Sequence, residues 1–381
     1  MRTDEKTLAS LEEEIEEWVR GPGEAYAAEI ECARQVPPRL HAELRARGYL
    51  RLAAPQEYGG LGLPFSDYLR LVELFSMSHA SVRMIVHVAN GVWRAIDQFA
   101  THEQRERFVL PQVAGDIRVA FTLTEPTSGA GADLRCSVTR EGDTYYLSGE
   151  KHLITFGVSC DYWLLFARLA GTAGKDGTVA LMVDRHTPGV TVEPMPQTMG
   201  VRGTDHAHLT FDRAPVPVAS RLGDEGRGLD VAFGGFLTPS RVSVAMTCVG
   251  LARRAQELAV GHAKQRVTFG KPLASRQAIS FALAENATDI EAARQLTLYA
   301  ARRWEECAED AGALSSMAKL NAVDMLTRVT DKALQVHGGI GYWESSPIER
   351  VYRDARAQRF EEGTNEIQKT VIARTVLGGG Q

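Results

Sequence analysis

Two changes of texture divide this chain, and they constrain its fold more than any single motif. Up to about residue 118, apolar residues recur at helical spacing in LASLEEEIEEWV, PRLHAELRARGYL, FSDYLRLVELFSMSH and HEQRERFVLPQV. From 119 to 222 the chain breaks into short runs rich in Val, Thr, Tyr, Phe and Leu, among them RVAFTLTEP, DYWLLFARL, GTVALMVD and AHLTFDRAPVPV. REGDTYYL in this region predicts a tight hairpin turning at Gly142 and Asp143. Over 223–381 three long helical stretches follow, beginning RVSVAMTC, RQAISFAL and LSSMAKLN, as in an antiparallel bundle. The expected fold is mainly α with a central β domain: a helical domain over 1–118, a β sandwich or barrel over 119–222 and a helical bundle over 223–381. Ser10 with Glu13 three residues on suits a capping box opening the first helix. The closing GGGQ reads as a frayed tail.

A length of 381 residues allows two or three domains, and 44% hydrophobic with 24% charged residues is ordinary for a soluble protein. A net charge of −5 with pI ≈ 6.1 argues against nucleic acid or an anionic membrane as partner. Five scattered cysteines without a C-x-x-C pair predict reduced, mostly buried thiols. The N-terminus has no apolar signal core and no stretch reaches the length of a membrane span, so a cytoplasmic location is expected.

Few short motifs carry chemistry by themselves. RFEEGTNEIQ (359–368) sets two carboxylates, Glu361 and Glu362, before Gly363. Neighbouring side chains cannot share a direction along a regular backbone, and the glycine lets the chain turn. A solvated charge pair at a helix edge is the plainer reading. TEPTSGAGAD (124–133) can bring backbone close to a planar or anionic ligand. KQRVTFGKP (264–272) places Arg266, Thr268 and Phe269 where a phosphate and an aromatic edge could bind, though surface charge reads the same way. GGIGY (338–342) follows a helix rather than a strand, so it is no dinucleotide fingerprint and by itself suits a helix C-cap. His206 and His208 share one strand face, read as solvated, and lack further metal ligands. His87 and Asn90 sit on an apolar helix, where a satisfied core histidine is the default.

The order of these segments is more specific than any one of them. QEYGGLGL, LTEP, GEKHLITF, LTFDRAPVP, LGDEGRGL, QRVTFGKPL, QAISFALAE, QVHGGIGY, RVYRDAR and EEGTNEIQ resemble the acyl-CoA dehydrogenase family, in its order and across nearly the whole chain. The resemblance implies an N-terminal helical domain, a β domain and a C-terminal four-helix bundle, usually as a homotetramer binding FAD. It implies Glu362 as catalytic base, removing the α-proton of an acyl thioester while the β-hydrogen leaves as hydride to flavin N5. The Glu362 N–H would polarise the thioester carbonyl, and burial would lift the carboxyl pKa toward working pH.

By the same resemblance Leu123 and Thr124 would meet the flavin pyrimidine edge, with Thr155 near N5. Arg266, Thr268 and Phe269 of a neighbouring subunit would hold the pyrophosphate and adenosine, with Gln335, Gly338, Gly339 and Thr364 along the cofactor tail. Arg241, Gly363 and His87 would border the substrate, and no residue is assigned to a metal.

Four departures from the family pattern stand out. The loop before Asp133 is longer, with Ala132 in place of a hydroxyl residue that meets the pantetheine arm. Leu153 replaces an aromatic beside the flavin, which bears on docking of an electron-transferring flavoprotein. Thr238 stands where an acid is frequent, and Glu361 replaces a frequent Tyr. Two acids so close would raise one pKa and titrate as a pair. Arg83, His87 and Asn90 share one helix face, so a pocket along that face would take a short or polar acyl group. An acyl group tethered to a carrier protein, a reductase running in reverse and a non-dehydrogenating flavoprotein are the rival readings.

Overall fold

A computed structural model describes residues 5–128 and 133–378. The long loop departure at Ala132 and the last residues of the GGGQ tail lie outside the described residues. Helices Glu5–Trp18, Glu24–Ala33, Pro38–Ala46, Phe65–Phe75 and Ala80–Asp97 build the N-terminal part. The first of these already includes Ser10, so Ser10 is an exposed interior position and not a cap. Leu8 and Ile15, two turns apart, are both buried, and burying Leu8 outweighs a cap at Ser10. Ala80–Asp97 is buried on almost every face and runs through the centre of the molecule. Its N-terminus is capped by His79, which accepts from the Ser81 amide at 3.1 Å.

Eight strands follow: β1 Val119–Thr122, β2 Ser137–Glu141, β3 Thr144–Thr155, β4 Tyr162–Leu169, β5 Thr178–Asp184, β6 Val190–Pro194, β7 His206–Pro217 and β8 Arg221–Leu222. They hydrogen-bond in the order β6-β7-β3-β2-β4-β5-β8, and β1 lies parallel to β4. β2 and β3 form the expected hairpin, with Glu141 opposite Thr144 and Gly142 at φ 59°. The sheet curls over its own core, so that Trp163 on β4 meets Phe211 on β7 edge to face at 6.2 Å. The β3–β7 register slips between Lys151 and Ile154, and this bulge turns Leu153 outward at φ 59°.

A π-helical stretch, Val231–Leu237, leads into the long helix Thr238–Gln265. Gln277–Glu305 and Ala311–His337 run beside it, and Pro347–Ala357 and Asn365–Val376 close the bundle. Buried alanines at 245, 252, 255 and 259 face others at 318, 322 and 333, which lets the helix axes approach closely. The same apolar core continues into the N-terminal helices through Leu69, Val72, Phe75 and Val249. A second core joins the sheet to the helices through Trp93, Phe108, Leu164 and Phe236. Among the described residues no helix is long and apolar enough to cross a membrane.

Candidate active site

The two adjacent carboxylates diverge because the chain leaves its helix between them. After Pro347–Ala357 the amides of Phe360 and Glu361 still bond back to the Ala357 carbonyl, at 2.9 and 3.3 Å. Glu362 then takes φ 54° and Gly363 φ 93°. A left-handed conformation costs a non-glycine residue roughly 1–2 kcal/mol and persists where neighbours hold it. Here Gln368 Nε2 donates to the carbonyls of Glu362 and Gly363 at 3.0 and 3.1 Å. Arg241 Nε donates to the Glu362 carbonyl at 3.3 Å, and Lys319 Nζ to that of Gly363. With both carbonyls engaged, the Glu362 N–H has no acceptor among the described residues.

Glu361 points away from the base. Both of its oxygens lie 3.0 Å from Arg83 Nη2, and Gln358 Nε2 donates to it at 3.1 Å. Its carboxylate is therefore paired with a cation, and Glu361 is not among the groups acting on Glu362. Glu362 points instead to Ser240, whose hydroxyl donates to Oε1 at 2.7 Å. Ser240 Oγ in turn lies 2.8 Å from His87 Nε2. A serine has one proton, and here the carboxylate takes it, so His87 must donate from Nε2. Nδ1 of His87 is buried without a partner.

Burial pushes the Glu362 carboxyl up, but His87, the Ser240 hydrogen bond and Lys319 outweigh it and hold it below the usual carboxylate range. The expectation that burial would lift this pKa fails because donors and positive charge surround the group, which is 15% exposed. Burial pulls Lys319 down to about 8.

The sheet reaches this turn through two contacts. Phe121 on β1 stacks on Phe236 at 4.6 Å, and Phe236 lies 6.1 Å from the His87 ring. Leu123, buried, and Thr124, half-buried, follow the last residue of β1, Thr122. Their loop is anchored by Lys151 Nζ, which donates to the Leu123 carbonyl at 3.0 Å and to Glu125 at 2.9 Å. Thr155 pairs with His206 at the end of β3. Burial pulls the His206 imidazole down and Glu361 is among the groups opposing it, so the end of β3 lies within electrostatic reach of the acidic turn. His206 and His208 are both half-buried, and His208 sits 3.0 Å from His152, ring nitrogen to ring nitrogen, so that face is partly exposed. Among the described residues no cluster of three or more His, Cys, Asp or Glu could hold a metal.

The remaining predicted residues divide in two. Arg241 and Gly363 lie at the turn, and Thr364 precedes the Asn365–Val376 helix at its N-cap position without a side-chain cap bond. Arg266, Phe269, Gln335, Gly338 and Gly339 are exposed and Thr268 half-buried at the other end of the bundle, where His262 stacks on His337 at 4.5 Å. Ser240 and Arg266 are separated by most of the Thr238–Gln265 helix, about 39 Å at 1.5 Å per residue. One chain therefore does not bring the two groups together. Thr238, in the place of a frequent acid, donates to the Phe233 carbonyl at 2.9 Å. Asn90 is saturated by the backbone of Tyr49, Val86 and Ala53, whereas Arg83 Nε and His87 Nδ1 on the same helix face are buried without a hydrogen-bond partner. Ser240 and Lys319 carry no motif signal, since a lone Ser or Lys on a helix reads as ordinary, and Gln368 closes the EEGTNEIQ segment without showing there that it holds the turn.

Three domain families match the chain: acyl-CoA dehydrogenase N-terminal domain over residues 5–116, middle domain over 120–214 and C-terminal domain over 226–377. An acyl-CoA dehydrogenase of Bacillus subtilis is 38% identical over 93% of this chain and 94% of its own. The chain belongs to the acyl-CoA dehydrogenase family. Butyryl-CoA dehydrogenase from Megasphaera elsdenii superposes with a TM-score of 0.93 at 32% identity, covering 99% of each chain. A chain from a study of the electron transferring flavoprotein of Acidaminococcus fermentans gives the same TM-score at 30% identity, again over 99% of each. Members of this family are flavoproteins that oxidise the CH–CH bond of acyl-CoA.

Proposed function

We propose that the chain dehydrogenates a short or polar acyl thioester, with Glu362 as the base. The observation that carries this reading is the strained turn that leaves the Glu362 N–H without an acceptor among the described residues and turns its carboxylate to Ser240. The N–H would donate to the thioester carbonyl oxygen, on which charge develops as the α-proton leaves. The α-proton moves to Glu362, the β-hydrogen departs with the bonding pair, and the Cα–Cβ double bond forms. Arg241, Gly363 and His87 border the acyl group, and Ser240 holds the base.

The residues fit FAD in two places. Leu153, 55% exposed at a bulge beside Thr155, presents an apolar surface for a flat ring next to Leu123 and Thr124. Phe269, 97% exposed beside Arg266 and Thr268, suits an adenosine and pyrophosphate supplied across an interface, with Gln335, Gly338 and Gly339 alongside. Thr364 would serve the cofactor from the turn side. FAD, when bound, supplies the hydride acceptor. Its two electrons would pass to an electron-transferring flavoprotein or another acceptor. The length of the Thr238–Gln265 helix supports a homo-oligomer, a tetramer by family resemblance, in which one subunit completes its neighbour's FAD site. The thioester is acyl-CoA, with a carrier-protein acyl group as the variant to test. Anaerobic mixing of the holoenzyme with acyl-CoAs and acyl-carrier protein should bleach the flavin for a short acyl-CoA. Bleaching by none of them, or by palmitoyl-CoA fastest, contradicts the reading.

A further inference from the structure

The groups that hold the base reach further than Ser240. Behind it lies a cavity between the Ala80–Asp97 helix and the start of Thr238–Gln265, lined by Phe65, Tyr68, His87, Phe236 and Ser240 among others. Its volume is ≈ 10 Å³, room for about one water. Two of these residues carry a buried polar atom without a hydrogen-bond partner: His87, 4% exposed, at Nδ1, and Tyr68, 2% exposed, at its hydroxyl. A polar atom left so forfeits the hydrogen bond it had in water. The other lining amide and hydroxyl are spent, Asn90 on backbone groups and Ser243 on the Pro239 carbonyl at 3.4 Å.

Each group in this row has its polarity set by the next. An ionised Glu362 only accepts, so the Ser240 hydroxyl donates to Oε1 at 2.7 Å. Ser240 Oγ then accepts from His87 Nε2, 2.8 Å away, and that tautomer makes Nδ1 an acceptor. Burial pushes the Tyr68 phenol up, so it keeps its proton and is a donor. One water in the cavity accepts from Tyr68, donates to Nδ1 and satisfies both. Every donor then points the same way, from Tyr68 through the water, His87 and Ser240 to the carboxylate. Hydrogen bonds in such a chain polarise one another, so each donor strengthens the bond ahead of it. Without a donor behind it, a helical serine hydroxyl can turn to the carbonyl one turn back.

We infer that His87 and Tyr68 are positioning residues for Glu362, and that the cavity holds one structural water completing a one-directional hydrogen-bond chain to the base. The chain rests on the reading of Glu362 as base for its effect on rate, and on the cavity and its unpartnered atoms for its existence. It stabilises the ionised carboxylate, so cutting it raises the Glu362 pKa. Lys319 and Arg241 face the same carboxylate from their own helices and stay in place in every variant below.

The test reads the acid limb of flavin reduction by butyryl-CoA in anaerobic single turnovers of the holoenzyme, together with the Kd of butyryl-CoA. His87→Leu should move the limb to higher pH by about half a unit to one unit. His87→Gln, whose amide nitrogen can still donate to Ser240, should leave it near wild type. Tyr68→Phe removes one hydroxyl and should move it the same way by less, with Kd unchanged. In a Ser240→Ala background His87→Leu should move the limb no further, because the chain is already cut. A shift undiminished in that background means that His87 acts on Glu362 directly, and overturns the chain. Identical behaviour of His87→Gln and His87→Leu overturns it too. The water is read separately, in a crystal structure of the holoenzyme at a resolution that orders internal waters. One water within hydrogen-bond distance of both the Tyr68 hydroxyl and His87 Nδ1 is expected, and its absence overturns the site whatever the base is. If Glu362→Gln reduces the flavin as fast as wild type, the base reading falls alone, and the crystal structure still decides the water site.

Discussion

Glu361 and Glu362 are the same residue type in adjacent positions, and their surroundings give them different work. Glu361 meets a buried arginine; Glu362 meets a serine hydroxyl. Glu362→Gln should therefore lower the rate of flavin reduction by about 10²–10⁴-fold or more while FAD stays bound, since a general base is removed and little else. Glu361→Gln should keep the reduction step and weaken the fold by about 1.5–3 kcal/mol, through loss of a charged contact to Arg83. A dead Glu361→Gln with an active Glu362→Gln would reverse the assignment. The Ser240 hydrogen bond and the nearby His87 and Lys319 hold the Glu362 pKa below its usual range. Activity should then fall only at acid pH, as the base is protonated. Ser240→Ala removes one of the groups that lower this pKa, so the acid limb of kcat/KM should move to higher pH. A limb that stays in place would mean the hydroxyl does not control the base.

Elements from all three parts of the chain meet at Glu31, on the Glu24–Ala33 helix. It takes His79 Nε2 at 3.1 Å, Arg202 at 3.1 Å and Arg353 at 2.7 Å, tying the sheet side and the Pro347–Ala357 helix to the N-terminal helices. Burial pushes the Glu31 carboxyl up, but His79 and Arg353 outweigh it and bring it to about 2. Because the folded value is depressed, this cluster stabilises the fold fully above the ordinary Glu pKa, near 4.3, and loses the effect as pH falls toward 2. Glu31→Gln should cost at most about 3 kcal/mol near neutrality. Its stability difference from wild type should shrink steadily across that acid window in denaturant titrations. A difference that does not change with pH would rule out the linkage. At this scale the first helix shows how far local signals reach. The 3.6-residue spacing of its apolar residues was readable, but its start was not, because burial of Leu8 lies outside any capping rule.

The whole molecule leaves one end of its bundle unfinished. Phe269, Ile340, Tyr342, Trp343 and Leu377 are all exposed there, an apolar surface unusual for a lone subunit. We expect a homo-oligomer in solution, and Arg266→Ala should weaken FAD retention by about 1.5–3 kcal/mol, the worth of a charged hydrogen bond. Gel filtration with the flavin-to-protein ratio checks both, and a monomer that holds a full complement of FAD contradicts the shared site.

Sequence alone determined the order of helices, strands and long helices, and through ordered motifs the family, because periodicity and turn chemistry are local properties of the chain. It also pointed to Glu362, through the resemblance of EEGTNEIQ to the family pattern and not through the paired acids themselves. The tertiary structure decided what each acid faces. Ser240 lies 122 positions before Glu362 and Arg83 278 before Glu361, so neither partner could be inferred from spacing. It also reversed the expected pKa of the base, since burial alone raises a carboxyl but burial among donors and cations lowers it.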